Sequence, residues 1–293
     1  MSDTRFQGAG VALVTPFSTE GEVDYKALER VTSHTIDNGI DFLVVLGTTA
    51  ETPTLSQDEK NKVVDTILAV NAGRKPVVLG VGGNDTAAVI NQIKNQPFNG
   101  IDAILSVAPY YNKPNQTGLL RHFEAIAAMS PLPVIIYNVP GRTGSNISAE
   151  TTLHLAHEVP NIIATKEASG NLDQIMAILR EKPEEFMVLS GDDSLTLPMI
   201  SLGAEGVISV ISNICPGQMS KICRLALEGN FEAARRIHYE ILELTGLVFA
   251  EGSPAGVKAA LTIAGLCGES VRLPLVSVSE LLKEKIRISL SKL

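Results

Sequence analysis

The chain reads VIIY at residues 134–137 and IIATK at residues 162–166. Both stretches are rich in β-branched residues and almost continuously apolar, which is typical of strands buried on both faces, as in a parallel sheet. An amphipathic stretch with helical spacing separates them, at residues 148–158. The order strand, helix, strand predicts one βα unit and the strand of the next.

The same alternation runs through most of the chain, with apolar runs mostly spaced by roughly 25 to 35 residues, the size of a βα unit. Six further runs lie at residues 11–14, 42–46, 77–80, 103–107, 187–190 and 207–210. Further helical patterns lie at residues 24–38, 56–70, 86–95, 119–129, 171–180 and 194–202. Eight strands that alternate with helices over about 200–250 residues predict an α/β fold, the (β/α)8 TIM barrel.

The strand pattern stops after residue 215. Helical patterns alone follow, at residues 218–227, 231–249, 254–264 and 277–290. We therefore expect two parts, a barrel at residues 1–215 that carries the active site and a C-terminal helical appendage at residues 216–293. Because no low-complexity linker separates them, we expect the appendage to pack on the barrel rather than move independently.

Composition excludes several classes of protein. The 293 residues are 45% hydrophobic and 19% charged, with a net charge of −8. An acidic chain does not suit non-specific nucleic-acid binding, which needs a basic surface. No apolar run approaches the roughly 20 residues of a membrane span, and the N-terminus has no apolar leader. Cys215, Cys223 and Cys267 are odd in number and widely spaced, so we expect buried thiols in the cytoplasm.

Three motifs have some features of nucleotide or metal sites, but the sequence favours a different interpretation of each. The loop GVGGND at residues 80–85 lacks the third glycine of a dinucleotide-binding turn, so we interpret it as a tight strand-to-helix connection. His154 and His157 have no further metal ligands nearby in sequence. Asp192 and Asp193 are consistent with a metal site or with an N-cap for the following helix, and we favour the N-cap.

Lys166 is the most informative residue at a strand end, because a TIM barrel places its chemistry at the C-terminal ends of its strands. A lysine at the mouth of an apolar barrel is partly desolvated, which favours the free amine. An amine beside a keto acid forms a Schiff base. The alternative is a salt bridge to Glu167. Tyr137 ends the neighbouring strand, where its phenol suits proton transfer or, alternatively, simple packing.

Two further strand ends suit carboxylate groups. Thr48 and Thr49 follow Gly47 and offer hydroxyls and consecutive N–H groups to a small carboxylate, with helix capping as the alternative. Arg142 lies in the turn PGRTG, where a rigid backbone aims its guanidinium group, either at a substrate carboxylate or at a surface acid.

Together these strand ends resemble the superfamily of dihydrodipicolinate synthases and N-acetylneuraminate lyases, which are Schiff-base barrels. The resemblance covers the chain from Gly10 to the C-terminal helices. The superfamily's Gly-Thr-Thr-Gly-Glu loop appears at residues 47–51 with Ala50 in place of the usual glycine. The loop YYNKP at residues 110–114, together with Arg142, is similar to the dihydrodipicolinate synthase branch.

The resemblance implies condensation of pyruvate with L-aspartate 4-semialdehyde to 4-hydroxy-tetrahydrodipicolinate, the entry to lysine and diaminopimelate synthesis. It implies no metal or organic cofactor. The implied roles are a Schiff base on Lys166, proton transfer by Tyr137, Thr49 and Tyr111, pyruvate carboxylate binding by Thr48 and Thr49, aldehyde binding by Arg142, and a pocket lined at Gly191 and Ile208.

Tyr111 reaches into a neighbouring subunit's site in the synthase branch, so the resemblance implies a homo-oligomer, a dimer or a tetramer built from dimers. Two other functions stay open. A pyruvate-dependent aldolase of a sugar acid would use the same Lys166 and Tyr137, but Arg142 and Tyr111 favour the synthase. A barrel that only binds a keto acid is disfavoured by intact Lys166, Tyr137 and Thr49.

The same resemblance argues against inhibition by lysine. In lysine-sensitive relatives the effector lies at the dimer interface, and the matching positions here are Thr52, Pro53, Gln57, Lys60, Asn84, Ala88 and Tyr110. Ala88 replaces a glutamate that pairs with the amino group of lysine, and Gln57 and Lys60 replace frequent histidines. Because Lys60 adds a positive charge to a site for a cation, we predict weak or absent inhibition.

Overall fold

The computed structural model describes residues 4–293. Eight parallel strands close into a barrel in chain order, and helices alternate with them, so the predicted TIM barrel is confirmed. The strands are β1 (Gly8–Ala12), β2 (Phe42–Val45), β3 (Val77–Gly80), β4 (Ala103–Val107), β5 (Val134–Asn138), β6 (Ile162–Glu167), β7 (Met187–Ser190) and β8 (Gly206–Ser209).

Twelve α-helices lie within residues 4–293, and most of them match a predicted helix to within a few residues. They are α1 (Tyr25–Asp37), α2 (Gln57–Asn71), α3 (Thr86–Asn95), α4 (Gln116–Met129), α5 (Pro140–Thr143), α6 (Ala149–Glu158), α7 (Leu172–Glu181), α8 (Thr196–Ser201), α9 (Pro216–Leu227), α10 (Phe231–Phe249), α11 (Ala255–Ile263) and α12 (Glu280–Leu290).

Strand β1 begins earlier than the prediction of residues 11–14, because its glycines are part of the sheet. Gly8 pairs with Gly206 of β8, and Gly10 pairs with Phe42 of β2. A Cβ atom on Gly10 would lie 2.2 Å from Cε2 of Phe42. These glycines therefore mark close packing between strands and not a loop.

Two other predictions differ in detail. The turn predicted around Arg142 is the short helix α5, which Pro140 begins and Gly144 ends with φ of +69°. Both residues suit those positions, since proline fixes φ at the first helical residue and glycine tolerates the left-handed C-cap. The helix predicted at residues 194–202 is a 3-10 turn, Asp193–Leu195, followed by α8.

Strands β5 and β6 are out of simple register because of a bulge at Ile163. Val134 pairs with Ile162, but Ile135 pairs with Ala164, so one extra residue lies on β6. Since side chains alternate along a strand, that extra residue reverses the face that each later residue of β6 presents. Ala164 consequently joins the apolar cluster inside the barrel, whereas Ile162 belongs to the layer between barrel and helices.

Two aromatic rings fill the N-terminal end of the barrel. Phe6 and Phe42 are both fully buried, and their centroids lie 5.7 Å apart at an interplanar angle of 81°. This edge-to-face geometry is favoured for aromatic pairs. The pair supports the inner cluster from the end opposite the strand termini that carry the candidate site.

The C-terminal helices contact the barrel and one another. Helix α9 packs on β1, and α10 packs on α9, α11 and α12. The division into a barrel and an appendage at residues 215 and 216 stays a proposal. Cys215, Cys223 and Cys267 are buried free thiols, as predicted. Within residues 4–293, no helix is both long and apolar enough to cross a membrane.

The Phe6–Phe42 pair gives a test of the barrel core. Replacing Phe42 by alanine removes a fully buried ring and leaves a cavity, so we expect the free energy of unfolding to fall by about 3–5 kcal/mol. Urea unfolding followed by circular dichroism measures this change. The control is Phe231→Ala at a half-exposed ring, where we expect a change of about 0.5 kcal/mol or less. Equal losses in both variants would contradict the account of the core.

Candidate active site

A cavity of about 260 Å³ opens at the C-terminal ends of the strands. Its walls combine residues from most of the barrel with two from the C-terminal helical region, Phe249 and Ser253. Six of the eight predicted site residues line it, namely Thr48, Thr49, Tyr137, Arg142, Lys166 and Gly191.

Lys166 and Tyr137 face each other inside this cavity. They are direct partners across β5 and β6, and Nζ of Lys166 lies 4.4 Å from the centroid of the Tyr137 ring. Only 5% of Lys166 is exposed. Gly191 leaves the space that this lysine occupies, since a Cβ atom there would lie 3.0 Å from Cε of Lys166 and 2.5 Å from Cβ of Ala168.

Burial controls the charge of Lys166. It lowers the pKa of the amine from 10.5 to about 8, and Arg142 acts in the same direction, whereas Asp193 and Asp192 oppose the shift. At pH 7 the free amine then makes up about a tenth of Lys166, roughly 300-fold more than for a lysine with an ordinary pKa. Lys166 is therefore both enclosed and available as a nucleophile.

Glu167 does not pair with Lys166, so the salt-bridge alternative from the sequence is wrong. Its carboxylate accepts from Nδ2 of Asn138 at 3.0 and 3.1 Å, and from the N–H of Ser169 at 3.0 Å. Asn138 follows Tyr137, and Glu167 follows Lys166, so this contact joins the same two strands on their other face. Burial raises the pKa of Glu167.

Tyr137 remains a neutral phenol. Burial raises its pKa to about 12, although Arg142 and a hydrogen bond with the Thr48 side chain lower it. A neutral phenol both donates and accepts a proton. The relay from Tyr137 through Thr49 to Tyr111 stays a prediction.

Thr48 and Thr49 begin a 3-10 turn, Thr48–Ala50, after the extended residue Gly47. N–H groups at the start of a helical turn have no acceptor within that turn. Thr49 is buried and Thr48 is exposed at the cavity. The turn therefore presents backbone donors and a hydroxyl group to the space in front of Lys166.

Two predicted site residues, Tyr111 and Ile208, do not line this cavity, and Arg142 lies at its exposed wall. The Arg142 side chain is exposed on α5, at the wall of the cavity. Ile208 is fully buried in the inner cluster. Tyr111 is 88% exposed and adopts φ of +71°, which is unusual for a bulky residue.

Neither Asp192 nor Asp193 caps the following helix with its side chain, so the N-cap interpretation is wrong. Asp192 occupies the N-cap position without a side-chain capping bond, and it lines the cavity. The buried Asp193 accepts from the N–H groups of Val210 and Ile211 at 3.1 Å each, which ties the end of β7 to the end of β8. In the sequence, the position of two consecutive acidic residues directly after a strand was the signal that could have indicated these roles.

A second cavity of about 300 Å³ adjoins the first, and Thr48, Tyr137 and Arg142 line both. It extends to four of the predicted effector positions, namely Thr52, Pro53, Lys60 and Tyr110. The positive charge of Lys60 thus lies along the space where the effector of related enzymes was expected.

Comparison with known proteins places this barrel among its relatives. The sequence model of the Dihydrodipicolinate synthetase family matches residues 5–293. The chain belongs to this family. The family expected from the strand ends is therefore confirmed over almost the whole chain.

Members of the Dihydrodipicolinate synthetase family are similar to it in sequence and in structure. A 4-hydroxy-tetrahydrodipicolinate synthase from Parabacteroides distasonis is 51% identical over 293 residues, which covers 100% of this chain and 99% of the relative. The crystal structure of dihydrodipicolinate synthase from Thermotoga maritima has a TM-score of 0.96 at 40% identity and covers 98% of both chains. The chloride-inhibited synthase from Acinetobacter baumannii, complexed with pyruvate, has a TM-score of 0.94 at 40% identity, again with 98% of both chains covered.

The environment of Lys166 gives a test that needs no substrate. Because only the free amine is acetylated, Lys166 should react with acetic anhydride half-maximally near pH 8, the pKa that burial gives it. Mass spectrometry of peptides from competitive labelling measures the pH profile of each lysine. The same lysine in the protein unfolded in urea is the control, with a midpoint expected at about pH 10.4. An equal or higher midpoint in the folded protein would show that burial does not lower the pKa of Lys166.

Proposed function

We propose that the chain condenses pyruvate with L-aspartate 4-semialdehyde to 4-hydroxy-tetrahydrodipicolinate, the entry step of lysine and diaminopimelate synthesis. The carrying observation is the enclosed amine of Lys166, 4.4 Å from the centroid of the Tyr137 ring and with its pKa lowered to about 8. Relatives about half identical over the whole chain carry the name of this synthase, which supports the same activity here.

Lys166 begins the reaction with its free amine. The nitrogen attacks C2 of pyruvate, and the carbonyl oxygen takes a proton to give a carbinolamine. Tyr137 donates the proton with which the hydroxyl group leaves as water and becomes a phenolate, and Thr49 links it to Tyr111 in the proton relay. The product is an iminium ion on Lys166, whose positive nitrogen draws electrons from C3.

The phenolate of Tyr137 takes a C3 proton, which converts the iminium ion to an enamine. The enamine carbon attacks the aldehyde carbon of L-aspartate 4-semialdehyde, and the aldehyde oxygen takes the proton from Tyr137 to become the hydroxyl group. The amino group of the second substrate then attacks C2 and displaces Lys166, which closes the ring. Lys166 returns to its free amine, and one water has been released overall.

Two carboxylates fix the substrates. The pyruvate carboxylate binds at the turn of Thr48 and Thr49, where backbone N–H groups and hydroxyls meet. Arg142 binds the carboxylate of the aldehyde substrate through a charge-assisted hydrogen bond. Gly191 and Ile208 line the pyruvate pocket with their backbone carbonyl groups. No metal or organic cofactor takes part in this reaction.

Tyr111 acts in a neighbouring subunit, so the enzyme works as a homo-oligomer, a dimer or a tetramer built from dimers. The support is its 88% exposure, which leaves a large aromatic ring in water, and the backbone cost of its φ of +71°. A second copy of the chain that buries Tyr111 accounts for both features. The enzyme works in the cytoplasm, and lysine inhibits it weakly or not at all.

The nucleophile is tested by trapping. Sodium borohydride with labelled pyruvate should reduce the iminium ion and fix one pyruvate on Lys166. In Lys166→Ala we expect no trapping and a loss of turnover by at least about 1,000-fold. The exposed Lys94→Ala is the matched control and should trap as the wild type does. Full trapping in Lys166→Ala would place the Schiff base on another lysine.

The shared site is tested by complementation. Tyr111→Phe and Lys166→Ala chains, each inactive alone, are co-expressed with different affinity tags, and the hybrid dimer is purified. One of its two sites then combines an intact Lys166 with the partner's Tyr111, so we expect about half the wild-type activity.

The control for this experiment pairs Lys166→Ala with the double variant Lys166→Ala, Tyr111→Phe, which contains no intact lysine in either site. It should stay inactive. If the first hybrid also stays inactive, Tyr111 acts within its own subunit and the proposed shared site is wrong.

A further inference from the structure

A buried ion pair joins the C-terminal helices to the turn that carries Thr48 and Thr49. Nζ of Lys258, on α11, lies 2.6 Å from Oε1 of Glu51, and the two side chains are 0% and 1% exposed. Glu51 is the residue that directly follows the turn Thr48–Ala50. The appendage therefore contacts the candidate carboxylate site through two charges that are withdrawn from water.

Both charged groups have additional partners that fix them in one geometry. The second carboxylate oxygen of Glu51 accepts from the N–H of Arg272 at 2.9 Å. Nζ of Lys258 also donates to the carbonyl oxygen of Ser270 at 2.9 Å, and it lies 4.1 Å from the centroid of the Phe17 ring. Such complete hydrogen bonding is what allows buried charges to persist.

The backbone of Glu51 adopts a conformation that this residue type does not favour. Its φ is +54° and its ψ is +34°, the left-handed region in which glycine is at ease and other residues are strained. The N–H of Glu51 donates to the carbonyl oxygen of Thr48 at 3.1 Å, so its backbone position is coupled to that of Thr48. A strained glutamate where glycine fits better indicates that its side chain is needed.

Arg272 also holds the chain just after Glu51, at Thr54. Its Nη1 donates to the carbonyl oxygen of Thr54 at 2.8 Å and to the carboxylate of Glu59 at 2.9 Å. Its Nε donates to the carbonyl oxygen of Gly21 at 2.9 Å. The C-terminal part of the chain thus holds the segment that follows the turn at two points, Glu51 and Thr54.

We propose that Glu51 and Lys258 are positioning residues for substrate binding, whose ion pair holds the Thr48–Thr49 turn where it binds the carboxylate of pyruvate. This inference rests on the proposed function, since it names the ligand of that turn. Buried ion pairs contribute little net stability compared with apolar residues of similar size, so stability alone does not account for the pair. The position of the pair beside the turn does account for it.

The test removes both charges together. In Glu51→Gln, Lys258→Met the side chains keep nearly their size, and no buried charge is left unpaired, so the fold is retained. We expect the KM for pyruvate to rise about 10- to 100-fold and kcat to fall by a smaller factor. Binding energy that the ground state and the transition state share is lost as a rise in KM.

A second readout separates positioning from general damage. Borohydride trapping on Lys166 is measured with pyruvate and with methyl pyruvate, in which the carboxylate is masked. We expect the ratio of the trapping rate with pyruvate to that with methyl pyruvate to fall at least about 10-fold in the double variant relative to the wild type. Glu51→Gln alone should also lower the ratio of the trapping rate with pyruvate to that with methyl pyruvate. This single variant replaces the double variant in the test if the double variant does not fold.

The matched control is another ion pair of the C-terminal region, Lys283 with Glu269, whose charged atoms lie 2.7 Å apart. Lys283→Met, Glu269→Gln should keep the wild-type KM and trapping ratio. Wild-type preference for pyruvate in both Glu51 variants, or equal slowing toward pyruvate and its ester, would overturn the positioning role. Failure of the wild type to trap pyruvate would instead overturn the proposed function.

Discussion

The bulge at Ile163 is the constraint on which the candidate chemistry depends. It shifts the pairing of β5 and β6 by one residue, so that Ile135 meets Ala164 and Tyr137 meets Lys166. Without the extra residue, the alternation of side chains along β6 would turn Lys166 away from Tyr137. The amine reaches the barrel interior, loses hydration and gains a phenol neighbour because of this one irregularity in the sheet. Bulges beside functional sites often re-aim a side chain in this way.

The reactive groups, Lys166 and Tyr137, lie inside the barrel, and contacts around them hold the strands and the threonine turn in place. Burial lowers the pKa of Lys166 and raises that of Tyr137, so that each group is available in its neutral form. On the opposite face of the same strands, Asn138 and Glu167 join β5 to β6 by hydrogen bonds. Farther out, the ion pair of Glu51 and Lys258 connects the C-terminal helices to the threonine turn. The appendage thereby becomes part of the site rather than a cover on the barrel.

The fold and the nucleophile were predictable from sequence because their signals are local. Apolar runs at βα spacing predict the barrel, and Lys166 ends such a run. The bulge was not predictable, since IIATK reads as an uninterrupted strand. The contact of Thr48 with Tyr137, the role of Asp193 between β7 and β8, and the Glu51–Lys258 pair depend on residues far apart in the chain. Only folding brings these residues together, so their contacts cannot be predicted from their spacing in the sequence.

The enclosed amine of Lys166 serves the condensation of pyruvate with L-aspartate 4-semialdehyde. The most direct measurement is product formation from labelled pyruvate, followed by mass spectrometry, with L-aspartate 4-semialdehyde as the second substrate and, in parallel reactions, the aldehyde partners of sugar-acid aldolases. We expect 4-hydroxy-tetrahydrodipicolinate as the product and turnover with L-aspartate 4-semialdehyde at least about 100-fold faster than with any sugar aldehyde. Faster carbon–carbon bond formation with a sugar aldehyde would contradict this expectation and make the chain a sugar-acid aldolase.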